Sequence, residues 1–337
     1  MSLAYTAAMR FVPLLFALMI AACNGGGNTA RGPASLLGAQ PRLLLRPDGG
    51  VPPVDAGFEE FAVWVATAAT PDSILVHCDQ IECTVTERIA HPAATAGVFA
   101  LVVDDSGSNT VDSSVCVGCP TDPDGVRKAA AKTFFRTLFS GGGQYRGALF
   151  DFGPAQANAS LLSTRMIAGY TRYPENLVTG ADQLKSAGGT YIYDSVWDVA
   201  PTLAGEALAL DAGSEVARHL LIVSDGEDTN STKNLTTAVT KAASLGVVVD
   251  TIGYGRSDGG TIPLLVGKAF RDLRVIAAAT GGFCTFTQTS ELPVLLEATA
   301  ESYLAGSVEL RVRVPPPGLS SLSGTVSAEG RSLPFRF

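Results

Sequence analysis

Histidine is scarce in this sequence. The three present, His77, His91 and His219, show no spacing that would make two of them ligands of one metal ion. A histidine-built metal centre and a histidine general base therefore have no visible footing. Basic side chains are also few, 24 against 32 acidic ones, for a formal net charge of −8. With no block of like charge, the chain lacks the basic patch that nucleic acid backbone requires, and its mildly acidic balance suits cations. No Gly-x-Ser-x-Gly elbow, Walker loop or dinucleotide fingerprint after a strand occurs. Gly141, Gly142 and Gly143 precede a strand, which makes them a turn. No internal repeat is visible. The apolar run Phe11 to Ala22 is about half the length of a membrane-spanning helix.

What the sequence does contain is a globular proportion of apolar residues, 46% of its 337 positions, with 17% charged. That is enough to build a sizeable core. The N-terminus reads as a leader: Arg10 supplies the positive flank, and the apolar run ends Ile20-Ala21-Ala22-Cys23. Small residues just before a cysteine resemble a bacterial lipobox. That resemblance implies cleavage after residue 22, lipidation of Cys23 and anchoring by buried CH₂ groups. Asn24, where a retention signal would have Asp, implies the outer membrane of a bacterial cell envelope. Residues 23–55, rich in Gly and Pro, read as a flexible tether.

Residues 56–95 carry strand patterns: Phe61, Val63 and Val65 alternate, Ile74-Leu75-Val76 follows, then Cys83-Thr84-Val85-Thr86. From residue 96 to 305 strands and helices alternate. Val98–Val103 and His219–Val223 are continuous apolar runs, as buried parallel strands are. Ala148–Phe150, Arg165–Tyr170, Val247–Val249 and Phe283–Phe286 read as further strands. Helices are expected over Asp124–Leu138, Tyr193–Leu210, Leu235–Leu245, Pro263–Thr280 and Glu291–Leu304. This alternation predicts an α/β fold with a doubly wound, mainly parallel sheet, whose ligand site lies at the C-terminal ends of the strands. Residues 306–337 return to period two in Val308–Val314. We expect 56–95 and 306–337 to form a small flanking β layer; the alternative is that each extends an edge of the central sheet.

Three segments bear on chemistry. Asp104-Asp105-Ser106-Gly107-Ser108 directly follows the first apolar strand. Gly188-Gly189-Thr190 precedes a helix. Ser224-Asp225-Gly226-Glu227-Asp228 follows the strand His219–Val223. All three fall at strand ends or helix entrances and so converge on one sheet edge. Asp104, Ser106, Ser108, Thr190 and Asp225 all offer oxygen, the ligand of hard cations such as Mg²⁺, Mn²⁺ or Ca²⁺. Alternate loop residues turn Ser106 and Ser108 the same way, and Gly107 permits the bend. The plainer reading is helix caps and turns, for which Ser, Thr, Asp and Asp-Gly are common.

The order and placement of these segments resemble the metal-ion-dependent adhesion site of von Willebrand factor A domains, over roughly residues 97–305. Supporting text includes Gly125–Ala130 opening a helix, Tyr193-Asp194-Ser195, Thr251–Gly255 and Ala279–Gly282. The resemblance implies that Ser106, Ser108 and at times Thr190 ligate the metal directly, while Asp104 and Asp225 act through water or hydrogen bonds to the hydroxyls. It also implies that an Asp or Glu carboxylate of a protein partner completes the shell. Asp105, Gly107, Glu227 and Asp228 are then second-line or rim groups, with Glu227 and Asp228 solvated.

Outside the cytoplasm disulfides are the default. Cys78–Cys83, flanking a hairpin tip, and Cys116–Cys119 are the expected local pairs, leaving Cys284 free. Cys116-Val117-Gly118-Cys119 also has the spacing of a redox motif or half a zinc site, but lies in a polar loop. The functional expectation is a membrane-tethered, metal-dependent protein-binding module and not an enzyme. The alternatives are a scaffold lipoprotein whose metal only steadies loops, and, with no base available, a metal-dependent hydrolase or disulfide oxidoreductase.

Overall fold

The computed structural model describes residues 38–43, 59–66, 71–79, 81–91, 93, 95–110, 120–152, 164–210, 216–255, 268–304, 307–315, 323–328 and 331–336. The leader, Cys23, Cys116, Cys119 and most of the loops 109–122 and 153–164 lie outside the described residues.

Residues β5 (Ala96–Asp104), β6 (Gln144–Phe152), β7 (Thr164–Thr171), β8 (Ala217–Ser224), β9 (Val248–Gly255) and β10 (Cys284–Gln288) form one sheet, in the order β10-β9-β8-β5-β6-β7. All neighbours pair in parallel except β6 and β7, which are antiparallel with two register shifts. Every residue of β5 is buried, because the strand is covered on both faces, which is why it reads as an unbroken apolar run. Its side chains divide by parity, as period two requires. Val98, Ala100 and Val102 join one core with α3 (Ile192–Leu208), α4 (Leu235–Ser244) and α5 (Lys268–Thr280). Phe99, Leu101 and Val103 join the other with α1 (Val126–Leu138), α2 (Pro174–Gly180) and α6 (Leu292–Leu304). The chain is therefore an α/β fold with a mainly parallel, doubly wound sheet.

Helix limits follow local chemistry. Asp122 accepts the Val126 and Arg127 amides at 2.6 and 3.1 Å and so caps α1 from before its start. Asn234 caps α4 by accepting the Thr237 amide at 2.9 Å. Gly246 and Gly281 follow α4 and α5 with φ of 63° and 76°, the left-handed conformation that stops a helix. α2 was not expected from the sequence; seven residues are too few for a clear helical period. Among the described residues no helix is long and apolar enough to cross a membrane.

Flanking segments meet in two small sheets. The four-stranded one has the order β1-β2-β11-β4, from β1 (Gly38–Leu43), β2 (Glu59–Ala66), β4 (Thr84–His91) and β11 (Ser307–Val314). The three-stranded one joins β3 (Leu75–Cys78), β12 (Ser323–Ala328) and β13 (Arg331–Arg336) in the order β13-β12-β3. Between them lies a separate core of Val63, Val65, Ile74, Val308, Leu310, Val312, Val314 and Val326. Two expectations need correction. The tether 23–55 contains a strand, since β1 pairs antiparallel with β2 from Gly38–Ala66 to Leu43–Phe61. A short segment whose apolar pattern is broken by Pro41 gives no periodic signal of its own. Cys78 and Cys83 are disulfide-bonded, but they do not close a hairpin. β3 pairs with β12 and β4 with β11, so the bridge ties the two sheets together.

Candidate metal centre

In the central sheet, β5 has β6 on one side and β8 on the other. The helices that follow β5 and β8 pack on opposite faces of the sheet, and the carboxyl ends of strands at such a switch are where α/β sheets bind ligands. Asp104 ends β5, and Asp225 directly follows β8.

The loop after β5 folds back on Asp104. Its Oδ1 accepts the Ser106 amide at 2.9 Å, and its Oδ2 accepts the Ser224 hydroxyl at 2.6 Å. The Ser106 and Ser108 hydroxyl oxygens stand 2.8 Å apart. Ser108 donates to Asp225 Oδ1 at 3.0 Å, and Thr121 donates to Asp225 Oδ2. Four of the five expected residues thus form one hydrogen-bonded chain from β5 to β8. Thr190 is placed beside it. A Cβ on Gly226 would stand 3.7 Å from the Thr190 hydroxyl. The Thr190 carbonyl accepts the amides of Thr229 and Asn230, each at 3.1 Å, while its own amide donates to the Thr229 hydroxyl at 3.2 Å. A Cβ on Gly189 would lie 1.8 Å from Asn230 Oδ1, so that exposed side chain would have to turn aside. The Thr190 segment is joined to the first loop by Gly107 N to Gly188 O (3.1 Å) and Ala187 N to Asp105 O (2.9 Å).

Asp104, Asp105, Ser106, Thr190 and Asp225 are all buried. Burial, and then the neighbouring charge of Asp104, pushes the Asp225 carboxyl well above the usual carboxylate range, against the hydroxyl donors Thr121 and Ser108. Among the described residues no lysine or arginine forms an ion pair with either carboxylate of this pair. The donor set, three hydroxyls and two carboxylates, is hard oxygen and fits Mg²⁺, Mn²⁺ or Ca²⁺. Among the described residues no group of three His, Cys, Asp or Glu side chains stands together.

The second-line residues divide. Asp105 is not a rim group. It is buried behind the loop, where it pairs with Arg127 at 2.7 Å and accepts the Lys185 amide. Its side chain points away from Asp104's because successive residues at a strand end face opposite sides. Asp228 accepts the Tyr193 amide at 2.9 Å and the Ser231 amide and hydroxyl at 3.1 and 2.6 Å. It thereby satisfies a free N–H in the first turn of α3 and is engaged, not simply solvated. Glu227 is exposed.

Sequence reasoning missed four contributors. Thr121 holds the second oxygen of Asp225. Asn109, buried, donates from Nδ2 to the carbonyls of Asp104 and Ser106 at 3.3 and 3.2 Å and accepts the Tyr254 hydroxyl at 2.7 Å. Ser224 holds Asp104, and Thr229 holds Thr190. Only Ser224, at the end of an apolar strand beside Asp225, had a local signal. His219 lies on β8 six residues before Asp225 but is engaged elsewhere: its Nδ1 lies 2.9 Å from Asp250 Oδ2, which also accepts the Tyr303 hydroxyl at 2.7 Å. Cys284 is free, and burial pushes its thiol up.

No protein-family profile and no curated protein matches the sequence. Solved structures do resemble it in three dimensions. A von Willebrand factor type A protein from Catenulispora acidiphila aligns with a TM-score of 0.45 and 12% identity, over 89% of this chain and 71% of that one. The pilus adhesin SpaC from Lactobacillus rhamnosus GG, in its open conformation, aligns with a TM-score of 0.45 and 10% identity, over 83% of this chain and 45% of that one. The vWF domain of a type V pili tip protein from Porphyromonas gingivalis aligns with a TM-score of 0.44 and 13% identity, over 62% of this chain and 96% of that one. No residue role is carried from them to this chain.

Proposed function

We propose that this protein is a divalent-cation-dependent protein-binding module, lipid-anchored in a bacterial envelope through Cys23. Ser106, Ser108 and Thr190 would hold Mg²⁺, or Mn²⁺ or Ca²⁺ in its place, with Asp104 and Asp225 orienting the hydroxyls. A bound cation would supply a positive charge at the carboxyl edge of the sheet that a partner's Asp or Glu carboxylate can meet. The observation that carries this reading is the buried Asp104–Asp225 pair, linked from Asp104 through the Ser106 amide and on to Asp225 through the Ser106 and Ser108 hydroxyls. Two carboxylates buried together, with no cationic side chain paired to them among the described residues, are costly, and a divalent ion held among them would relieve the cost.

Binding is favoured over a purely scaffolding role for the metal. The site loops are already fastened by protein bonds, Gly107 to Gly188, Ala187 to Asp105 and Asn109 to Asp104 and Ser106. These bonds supply a hold on the loops that is independent of a cation. An enzymatic role has less support: His219 is engaged by Asp250, and each of the site's carboxylates already accepts two hydrogen bonds.

The test is calorimetric titration of Mg²⁺ into the chain from residue 24 onward, which retains β1. Saturable binding that disappears in Asp104→Ala and in Ser106→Ala is expected, followed by metal-dependent capture of a carboxylate-bearing partner. Equal heats from all three proteins, or none from any, would reduce the five oxygens to caps and turns.

A further inference from the structure

We propose that Arg127 is the positioning residue of the cation site, a single guanidinium that holds in register the two chain segments supplying Asp104, Ser106, Ser108 and Thr190 and the segment whose Thr121 holds Asp225. The proposal rests on the cation reading for its functional consequence, but not for its geometry.

Arg127 lies in the first turn of α1 and is 2% exposed. A buried guanidinium is tolerated only when paired and hydrogen-bonded, and its partners lie in three separate segments. Nη2 donates to Asp105 Oδ1 and to Ser186 Oγ, both at 2.7 Å, and Nη1 donates to Asp122 Oδ2 at 2.7 Å. Each partner adjoins a group of the site. Asp105 follows Asp104. Asp122 follows Thr121, whose hydroxyl holds Asp225. Ser186 opens the stretch that reaches Thr190 and whose Ala187 and Gly188 bond to the first loop. The other oxygen of Asp105 takes the Lys185 amide, fastening the same stretch again. Arg127 touches none of the five candidate ligands, so it acts through their neighbours.

The shape of the group matters as much as its charge. A planar fork with fixed donors can address two carboxylates and a hydroxyl at once. A lysine ammonium keeps the charge but cannot span the same three partners. Two carboxylates against one guanidinium also leave one net negative charge behind the site, which favours a cation in front of it.

The test compares wild type with Arg127→Lys, Arg127→Met, Ser186→Ala and, as a control on the same helix, Lys132→Met, which removes an exposed pair with Asp182. Two readouts are taken: Mg²⁺ affinity by calorimetry, and amide hydrogen exchange of the metal-free protein. We expect both Arg127 variants to bind Mg²⁺ at least tenfold more weakly, Ser186→Ala about threefold, and Lys132→Met as wild type. Exchange should quicken together at 104–110, 120–122 and 185–190, with β5 and β8 still protected. Wild-type affinity in Arg127→Lys, or loosening confined to α1, would overturn the proposal. Should both Arg127 variants fail to fold, unchanged affinity and unchanged exchange at 185–190 in Ser186→Ala would overturn it equally. If wild type binds no Mg²⁺, the cation reading fails by itself. The exchange data then decide the clamp: joint loosening of the three segments sustains it and its absence removes it.

Discussion

Replacing Asp225 by Asn should stabilise the metal-free protein and abolish its stabilisation by metal. The side chain is 4% exposed and accepts Ser108 at 3.0 Å and the Thr121 hydroxyl. Its carboxyl is raised by burial and by Asp104. A carboxyl raised in the folded state binds its proton more tightly there than in the unfolded chain. Its contribution to stability is therefore greatest below the ordinary carboxylate range and declines as pH rises toward the folded value. At neutral pH the metal-free wild type carries that cost. An effective burial penalty of several kcal/mol per ion, offset by charge-assisted hydrogen bonds of roughly 1.5–3 kcal/mol, leaves a net on the order of 1–2 kcal/mol. The amide of Asn keeps one acceptor for the two hydroxyls and removes the charge. In EDTA the variant should melt roughly 3–6 °C higher. At Mg²⁺ one hundred times its dissociation constant, wild type should gain about 2.7 kcal/mol, or roughly 5–10 °C. The variant should gain nothing, so the order of melting temperatures reverses with metal. Scanning calorimetry of both proteins with EDTA and with Mg²⁺ measures all four values. An Asn variant that melts several degrees lower in EDTA, or that responds to Mg²⁺ as wild type does, would refute the reasoning.

Three other perturbations test the surrounding structure. Asp198 on α3 is pushed up to about 6, by burial first and then by the charge of Asp194. Stability should therefore fall as pH rises from the ordinary value of 3.8 toward about 6, and Asp198→Asn should remove that slope. The gain at pH 7 should be about 1 kcal/mol after allowance for solvent screening, read from urea midpoints at acid and neutral pH. Leu310→Ala, at a fully buried position of β11 between β2 and β4, should cost about 2–5 kcal/mol. A fall in melting temperature of the β layer with Mg²⁺ affinity unchanged would check its separation from the site. Gly282→Ala would place a Cβ 2.0 Å from the Val249 carbonyl oxygen, a backbone atom with little room to yield. A loss of roughly 3 kcal/mol or failure to fold is expected, and a denaturant melt within 0.5 kcal/mol of wild type would contradict the packing at the end of α5.

Local pattern in the chain decided the central architecture. The apolar runs of β5 and β8 announce strands buried on both faces, and Gly246 and Gly281 mark helix ends because only glycine enters the left-handed region freely. Candidate ligands were legible because oxygen-bearing residues stand directly at strand ends, so placement follows from the rule that such sheets bind ligands at their carboxyl edge. Tertiary structure alone decided what lies behind them. Asp104 and Asp105 are neighbours of identical chemistry, yet one meets Ser106 and Ser224 and the other a buried arginine 22 positions away. Thr121 reaches Asp225 across 104 positions, and Tyr254 reaches Asn109 across 145. No sequence period encodes such contacts. The same holds for β1, which is a strand because β2 offers it an edge, and for the Cys78–Cys83 bridge, which joins two sheets because β3 and β4 chose different partners. Periodicity fixes which way a side chain faces relative to its own element, and only the packing of elements against one another fixes what it meets.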